Sequence, residues 1–425
     1  MTNKNSSWTA FFYGLAELGP ASIDIFIKVY MLVYFDQVKG LSPTMASLAI
    51  GLSVVWDALI DPKIGQYSDR YYQRHGQRKN ILYLASFLMS SSFIFVWLLP
   101  ATQEWILFCS LLVVSTILNS SLALFSIPYI AVANDLEPDN RQRQKWIGYR
   151  IAFLNIGSIF GLAVPAMFMT EPQSQKWMSS YLQPAVILAV ITIVVSLFSV
   201  YKVYSHYQIQ VPEKVESNQI RWKDLISDRL FLKLVGSFFI LYSAIGINST
   251  LALYYYRDFL KLDEKSIQII LVSFLIFFTA SLPVWIYLTR FFNQKRLIIF
   301  GGLALGVSTA LIYPNLLGQS WLVVLLLASL LGGFLVGAAV VLETYLSEFL
   351  KNKEDLLKVS VAGQYLGIWK FAQKTSRGVA VGLSGPILEI SAGNPTTLAG
   401  FFGYGVGALF ILSALILLIP SSEKV

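Results

Sequence analysis

Long runs of apolar residues alternate with short polar loops along the whole chain. A helix needs roughly 20 consecutive apolar residues to span the hydrocarbon core of a bilayer. On that length the chain divides into twelve predicted membrane-spanning helices, whose approximate bounds are 9–35, 43–66, 80–99, 104–133, 148–170, 183–204, 230–256, 266–289, 295–314, 319–348, 358–387 and 396–420. The pattern therefore predicts an all-α membrane protein.

The longest polar stretch, residues 205–229, separates the first six predicted helices from the last six. It predicts an N-terminal six-helix half of residues 1–204, a linker of residues 205–229, and a C-terminal six-helix half of residues 230–425. Two equal halves of this kind are typical of transporters built from two repeats.

Composition and charge agree with a lipid environment. Of the 425 residues, 56% are hydrophobic and 13% are charged, so one soluble core cannot hide the apolar surface. The formal charge of +8 does not predict a nucleic-acid partner, because Lys and Arg gather at the ends of the apolar segments. Their distribution predicts a cytoplasmic linker and cytoplasmic termini, although Arg257, Lys261 and Lys265 oppose the trend. With only Lys4 before the first apolar run, we expect a mature helix there rather than a cleavable signal peptide.

The chain offers little for catalysis. It has a single cysteine, Cys109, and its two histidines, His75 and His206, lie in polar stretches outside the predicted helices. No phosphate-binding loop and no HExxH motif is present, so we expect neither an enzyme nor a bound cofactor. A channel is disfavoured because no filter-like repeat occurs, and a receptor because no loop is long enough for a soluble domain.

Two acids stand out in the second predicted helix. Asp57 and Asp61 are four residues apart, so their carboxylates project from one helix face about one turn apart. Such a pair supplies oxygen ligands to a bare cation or shares a proton. The alternative is a helix end with solvated acids.

The residues around this pair resemble known transporters. The stretch from Gly65 to Lys79, GQYSDRYYQRHGQRK, resembles the GxxxDRxGRK signature of the major facilitator superfamily. The narrower pattern DAxxDPxxGxxSDR, which starts at Asp57, resembles the glycoside–pentoside–hexuronide:cation symporters, the family of melibiose permease. Further support comes from SIPY at 126–129, the stretch from Asp139 to Arg143, and GQYLGIW at 363–369.

This resemblance implies a major facilitator fold and a cation-coupled symporter that works by alternating access. Asp57 and Asp61 become ligands of Na⁺ or Li⁺, or sites for H⁺, and Lys374 in the eleventh helix becomes their charge partner. A lysine deep in an apolar segment usually faces an acid or a cavity, which agrees with that role. The implied partners are a small solute of the sugar, glycoside or uronide class, a monovalent cation and the lipid bilayer. The implied location is a bacterial inner membrane, where a monomer suffices.

The resemblance fails at the sugar site. Positions that hold the galactoside in melibiose permease are Ala21, Ser126 and Ile130 in this chain, although the arginine at the start of the fifth helix is retained as Arg150. The same architecture also resembles sodium-dependent lysophospholipid carriers, which lack the sugar contacts. An amphiphile is therefore the alternative solute.

Other polar residues inside the predicted helices are candidates for the substrate cavity. Asp24 and Lys28 form a potential i, i+4 ion pair, for which structural pairing and substrate contact are equally open. Lys370 and Arg377 fall near the face of Lys374 and favour an anionic solute, or else balance acids such as Glu343. The full set of predicted cavity residues is Asp24, Lys28, Ser126, Arg150, Asn248, Trp369 and Lys370.

The loop after the second helix predicts a gate. Gly65 lets helix ends approach closely, and Asp69 with Arg70 forms a pair that holds one side shut until the halves rock apart. A purely topological role for Arg70 is the alternative.

Overall fold

The computed structural model describes residues 5–100, 103–137, 140–168, 177–205, 228–357 and 362–419, and these residues are helical with no β-strand. The predicted linker, apart from its ends, and Asp139 lie outside the described residues. We number the helices α1 to α12, and their bounds are α1 Asn5–Leu15 and Leu18–Val33 with a π-helical turn Tyr34–Val38, α2 Pro43–His75, α3 Lys79–Leu98, α4 Glu104–Leu136, α5 Asn140–Ala166, α6 Trp177–Ser205, α7 Arg229–Tyr254 with a π-helical turn Tyr255–Phe259, α8 Glu264–Leu288, α9 Gln294–Ile312 with a 3-10 turn Tyr313–Asn315, α10 Trp321–Leu357, α11 Ala362–Ile390, and α12 Pro395–Gly400, Phe401–Gly405 (π-helical) and Val406–Ile416.

Within the described residues, eleven helices are long and apolar enough to cross a membrane. The exception is α11, which has 29 residues but carries Lys370, Lys374 and Arg377 in its middle. The predicted second helix ends near residue 66, whereas α2 continues to His75 and stops at Gly76, whose φ of 67° terminates the helix in the left-handed conformation. The glycine after His75 thus determines where α2 ends, and hydropathy alone does not predict that position.

The chain divides into two compact units, Met1–Lys214 and Val215–Val425. In the first unit α2 packs on α4, α1 on α5 and α6, and α3 on α4 and α6. In the second unit α8 packs on α10, α7 on α11 and α12, and α9 on α10 and α12. Each pair of helices that pack together in the second unit corresponds to a pair in the first unit whose numbers are lower by six. The two units are therefore structural repeats.

The repeat extends to the junctions that follow α1 and α7. Each helix ends in a π-helical turn whose first residue is a tyrosine, Tyr34 or Tyr255. The Tyr34 hydroxyl donates to the carbonyl oxygen of Trp97 at 2.6 Å, and the Tyr255 hydroxyl donates to that of Tyr313. Six residues after each tyrosine the chain turns through a positive φ, 72° at Gly40 and 54° at Lys261.

The two turns differ in backbone strain. A Cβ added at Gly40 would touch no atom within 4 Å, so replacing this glycine tests conformation alone. We expect Gly40→Ala to lower the free energy of unfolding by about 1–2 kcal/mol, because an L-residue resists the left-handed region. Lys261→Ala replaces one L-residue by another, so the free energy of unfolding should stay within about 0.5 kcal/mol of wild type. Thermal unfolding of the purified proteins checks this, and equal midpoints for both variants would contradict it.

Candidate functional site

The carboxylate pair of α2 lies in the first unit. Asp57 is buried, with 8% of its surface exposed, and Asp61 is half-buried one turn further along. The Oδ1 oxygen of each carboxylate is buried and accepts no hydrogen bond from the described residues, although both side chains have other interactions. Pro62 continues the helix but supplies no N–H, so the carbonyl oxygen of Ala58 lacks its helical donor. Three oxygen-bearing groups suited to a hard cation therefore lie within two turns of α2.

Helix α4 flanks this face of α2. The Asn119 amide donates to the Ser53 hydroxyl at 3.0 Å, one turn before Asp57. At the other end, a Cβ added at Gly65 would meet the Ile127 side chain at 3.8 Å, an ordinary contact. Ser126, the residue before Ile127, is half-buried on α4. Gly65 is therefore not needed for tight α2–α4 packing inside the first unit.

No group of three or more His, Cys, Asp or Glu side chains able to hold a metal occurs in the described residues. Lys374, the predicted charge partner of Asp57 and Asp61, lies half-buried on α11 in the second unit. Its pairing with the aspartates stays a prediction.

Arg150 pairs with an acid of its own unit. Its Nε donates to the Glu17 carboxylate at 2.9 Å, and Glu17 lies where α1 is interrupted between Leu15 and Leu18. The hydroxyl of Tyr13 donates to the Tyr129 carbonyl oxygen at 3.3 Å beside this pair, and the rings stack. The single helix predicted for residues 9–35 is therefore broken, and the break holds a buried ion pair.

Asp24 and Lys28 form an ion pair one turn apart on α1. Their side chains are 38% and 30% exposed. Because charges at this depth avoid lipid, the pair marks a polar side of α1.

The ion pairs of the loop after α2 centre on Arg78, and the gating role of Gly65, Asp69 and Arg70 stays a prediction. Arg70 is exposed and forms no ion pair with a described residue, whereas Arg78 is 5% exposed and contacts Asp135 at 2.7 Å and Asp69 at 2.9 Å. Its backbone N–H donates to the Tyr204 hydroxyl at 3.2 Å, so α2, α3, α4 and α6 meet here.

The Arg78 cluster shifts two pKa values outside the membrane-spanning segments. Burial raises the pKa of the Asp135 carboxyl above its ordinary value, and Arg78 offsets this in part. Burial by itself would lower the pKa of Arg78, but its bonds and charge interactions with Asp135 and Asp69 raise it above the ordinary value. These charges stabilise one another and tie α2, α3 and α4 together at one end of the first unit.

Other predicted cavity residues lie in the second unit. Asn248 lines a small cavity of about 70 Å³ together with Thr309 and Tyr313. Trp369 is 1% exposed and packs on Phe238 of α7 with ring centroids 3.8 Å apart, so it is a packing residue inside the unit. This placement differs from the predicted role in a substrate cavity, because the indole faces α7.

Sequence reasoning missed three residues that the structure brings into these sites, namely Glu17, Asn119 and Asp135. Glu17 gives a signal in the sequence, because it is a charged side chain inside an apolar segment. Asn119 gives none, because lone polar residues in such helices are common.

Comparison with solved structures shows the fold. The nucleoside transporter NupG superposes with a TM-score of 0.71 at 14% identity, covering 97% of this chain and 99% of that one. A D-xylose-proton symporter superposes with a TM-score of 0.72 at 15% identity, covering 97% and 96%. The predicted major facilitator fold of twelve helices is thereby confirmed.

Curated relatives are similar to the chain over much of its length. The sodium-dependent lysophosphatidylcholine symporter 1-A of Danio rerio is 21% identical over 431 residues, which is 92% of this chain and 76% of the relative. The Mus musculus symporter 1 is 19% identical over 409 residues, 87% of this chain and 74% of that protein. An uncharacterized symporter of Synechocystis sp. is 27% identical over 173 residues, and the match spans about a third of it, 32%.

The model of the family described as MFS/sugar transport protein matches residues 12–421. Its members and the similar folds are transporters rather than enzymes, and the apolar helices make the chain an integral multi-pass membrane protein. The chain belongs to the MFS/sugar transport protein family of the major facilitator superfamily.

Proposed function

We propose that the protein is a cation-coupled symporter in which Asp57 and Asp61 bind the coupling ion. The observation that carries the proposal is a carboxylate pair one turn apart on α2, with Asp57 buried at membrane depth. Buried acids in membrane helices are costly and mark ion pathways. The relatives named sodium-dependent symporters favour Na⁺ over H⁺ or Li⁺ as the ion.

Coupling requires that neither the ion alone nor the solute alone permits free exchange of access. In this proposal Lys374 balances the aspartates when the ion is absent, and ion binding releases it. The Arg78 cluster, with Gly65, Asp69 and Arg70 of the signature, holds one side shut until the units rock apart. The protein then lies in a bacterial inner membrane, as the family resemblance suggests. Both termini and the linker are on the cytoplasmic side, as the charge distribution suggests.

Two classes of solute are candidates for this protein. The resemblance to glycoside–pentoside–hexuronide symporters favours a sugar, glycoside or uronide. Ala21 argues against a galactoside site, because it is buried against α5 and its methyl group offers no hydrogen bond to a sugar. A lysophospholipid, as in the names of the relatives, is therefore the second candidate.

Uptake into proteoliposomes separates these candidates. Vesicles with an inward gradient of Na⁺, Li⁺ or H⁺ are supplied with glycosides, uronides or lysophospholipids, each against matched vesicles without a gradient. We expect one solute class to accumulate at least about tenfold above the no-gradient control, a ratio equivalent to about 1.4 kcal/mol. Equal uptake with and without every gradient would sink the symporter proposal and leave a uniporter.

A further inference from the structure

A chain of hydrogen bonds joins three helices inside the second unit. Lys370 of α11 donates to the Gln373 side-chain oxygen at 3.2 Å, and Gln373 is hydrogen-bonded to the Tyr242 hydroxyl of α7. The Tyr242 hydroxyl donates to the Glu343 carboxylate of α10 at 3.1 Å. All donors point in one direction, from the ammonium to the carboxylate, so the bonds polarise one another.

The two ends of this chain carry opposite charges that do not pair with each other. Within the part of the chain that the structure describes, Lys370 bonds only to Gln373, and the Glu343 carboxylate bonds only to Tyr242. Two neutral side chains hold the charges apart. A charge at membrane depth without a counter-ion is expensive, so each pole favours a ligand of opposite sign.

Lys370 lies between the charged side of α11 and the exposed apolar residues, because the exposed Leu366 is about 40° from it on a helical wheel. Phe371 and Val379 are exposed apolar residues of this helix, and at 3.6 residues per turn they lie about 100° and 180° from Lys370. Gln373, Lys374 and Arg377 fall within about 60° of Lys370 on the same wheel. Lys370 is exposed on the same face of α11 as these polar and charged side chains.

The scaffold beneath these poles is rigid. Trp369 packs on Phe238, and Phe238 packs on Tyr242 with ring centroids 4.3 Å apart. The Ser243 hydroxyl donates to the Ser376 carbonyl oxygen at 3.4 Å, five residues after Phe238 on α7 and seven residues after Trp369 on α11. Rigid support of this kind fixes the distance between two binding groups and so selects ligand geometry.

We infer that Glu343 and Lys370 are the two poles of a binding site for a zwitterionic group, in which Tyr242 and Gln373 set the spacing. The ligand's ammonium binds Glu343, and its carboxylate or phosphate binds Lys370. The cations Lys374 and Arg377 add attraction for the oxyanion. This inference rests on the proposed transport function and names the charge class of its solute, whether the zwitterion is a phosphocholine lipid headgroup or a soluble betaine.

Ligand-induced thermal stabilisation of the purified full-length protein tests the site. The probes are glycerophosphocholine, lysophosphatidylcholine and glycine betaine as zwitterions, glycerol phosphate as an anion, choline as a cation, and a neutral methyl glycoside. We expect a zwitterion to bind wild type at least tenfold more tightly than either single charge. Glu343→Gln should erase the preference over the anion, and Lys370→Gln the preference over the cation. Glycerophosphocholine and glycine betaine distinguish the two sources.

Controls separate recognition from folding and from ion coupling. Glu348→Gln and Lys351→Gln change exposed charges of α10 and should bind the zwitterion like wild type. Lys370→Arg keeps the charge and should retain the preference, which covers the case that Lys370→Gln does not fold. The stabilisation by Na⁺ alone is recorded in every sample. If it persists while no zwitterion binds better than the glycoside, this site is refuted and ion coupling stands. Zwitterion binding that survives Glu343→Gln and Lys370→Gln unchanged also refutes it.

Discussion

Replacing Asp57 or Asp61 by asparagine removes cation-driven solute accumulation, and we expect the loss to be at least about 100-fold in initial rate, equivalent to about 2.7 kcal/mol. Asparagine keeps the size of each side chain but removes the charge that compensates the dehydrated ion. Uptake into proteoliposomes under a sodium gradient measures the loss. Solute exchange at equal ion concentrations on both sides should be less affected, because it does not require net ion transfer.

The matched control is Glu348→Gln, which neutralises an exposed acid of α10. It should leave sodium-driven uptake within a factor of about two, because surface substitutions away from special features have small effects. Retention of driven uptake in both aspartate variants would show that the carboxylates of α2 are structural.

Removing Arg78 has the largest expected effect on stability. Arg78→Ala leaves Asp135, whose side chain is 12% exposed, without its ion pair, and losing one partner of a buried pair costs about 3–5 kcal/mol. The thermal unfolding midpoint of the purified protein should fall accordingly. The variant also loses the contact that holds the α2–α3 loop against the end of α4.

Two neighbouring charges serve as controls for Arg78. Asp69 is 64% exposed, so Asp69→Ala should cost no more than about 1 kcal/mol. Arg70→Ala should be close to neutral, since Arg70 is exposed. A larger loss for Arg70→Ala than for Arg78→Ala would contradict the assignment of Arg78 as the centre of the cluster.

Hydropathy predicted all twelve helices because each must present roughly 20 apolar residues to lipid. It missed the interruption of α1 at Glu17, since a break filled by an ion pair leaves the average hydropathy of the segment almost unchanged. The extension of α2 to His75 was missed for another reason. Its last turns are polar, and Gly76 ends the helix by backbone conformation.

In the candidate sites, contacts within one helix were predictable from the sequence, and contacts between helices were not. Asp57, Asp61 and the Asp24–Lys28 pair were predictable because their spacing on one helix determines which side chains meet. The partners of Arg78 and Arg150 were not, because Asp135 and Glu17 come from other helices and no local pattern encodes that contact. The separation of Glu343 from Lys370 by Tyr242 and Gln373 depends on three packed helices and is visible only in the structure.

Direct sodium binding tests the central claim without knowledge of the solute. The thermal unfolding midpoint of the purified protein is measured against NaCl, with KCl keeping ionic strength constant, for wild type, Asp57→Asn and Asp61→Asn. We expect a saturable rise in midpoint for wild type and a flat response for both variants. A flat wild-type response, or an equal rise in all three proteins, would contradict sodium binding by the α2 carboxylates.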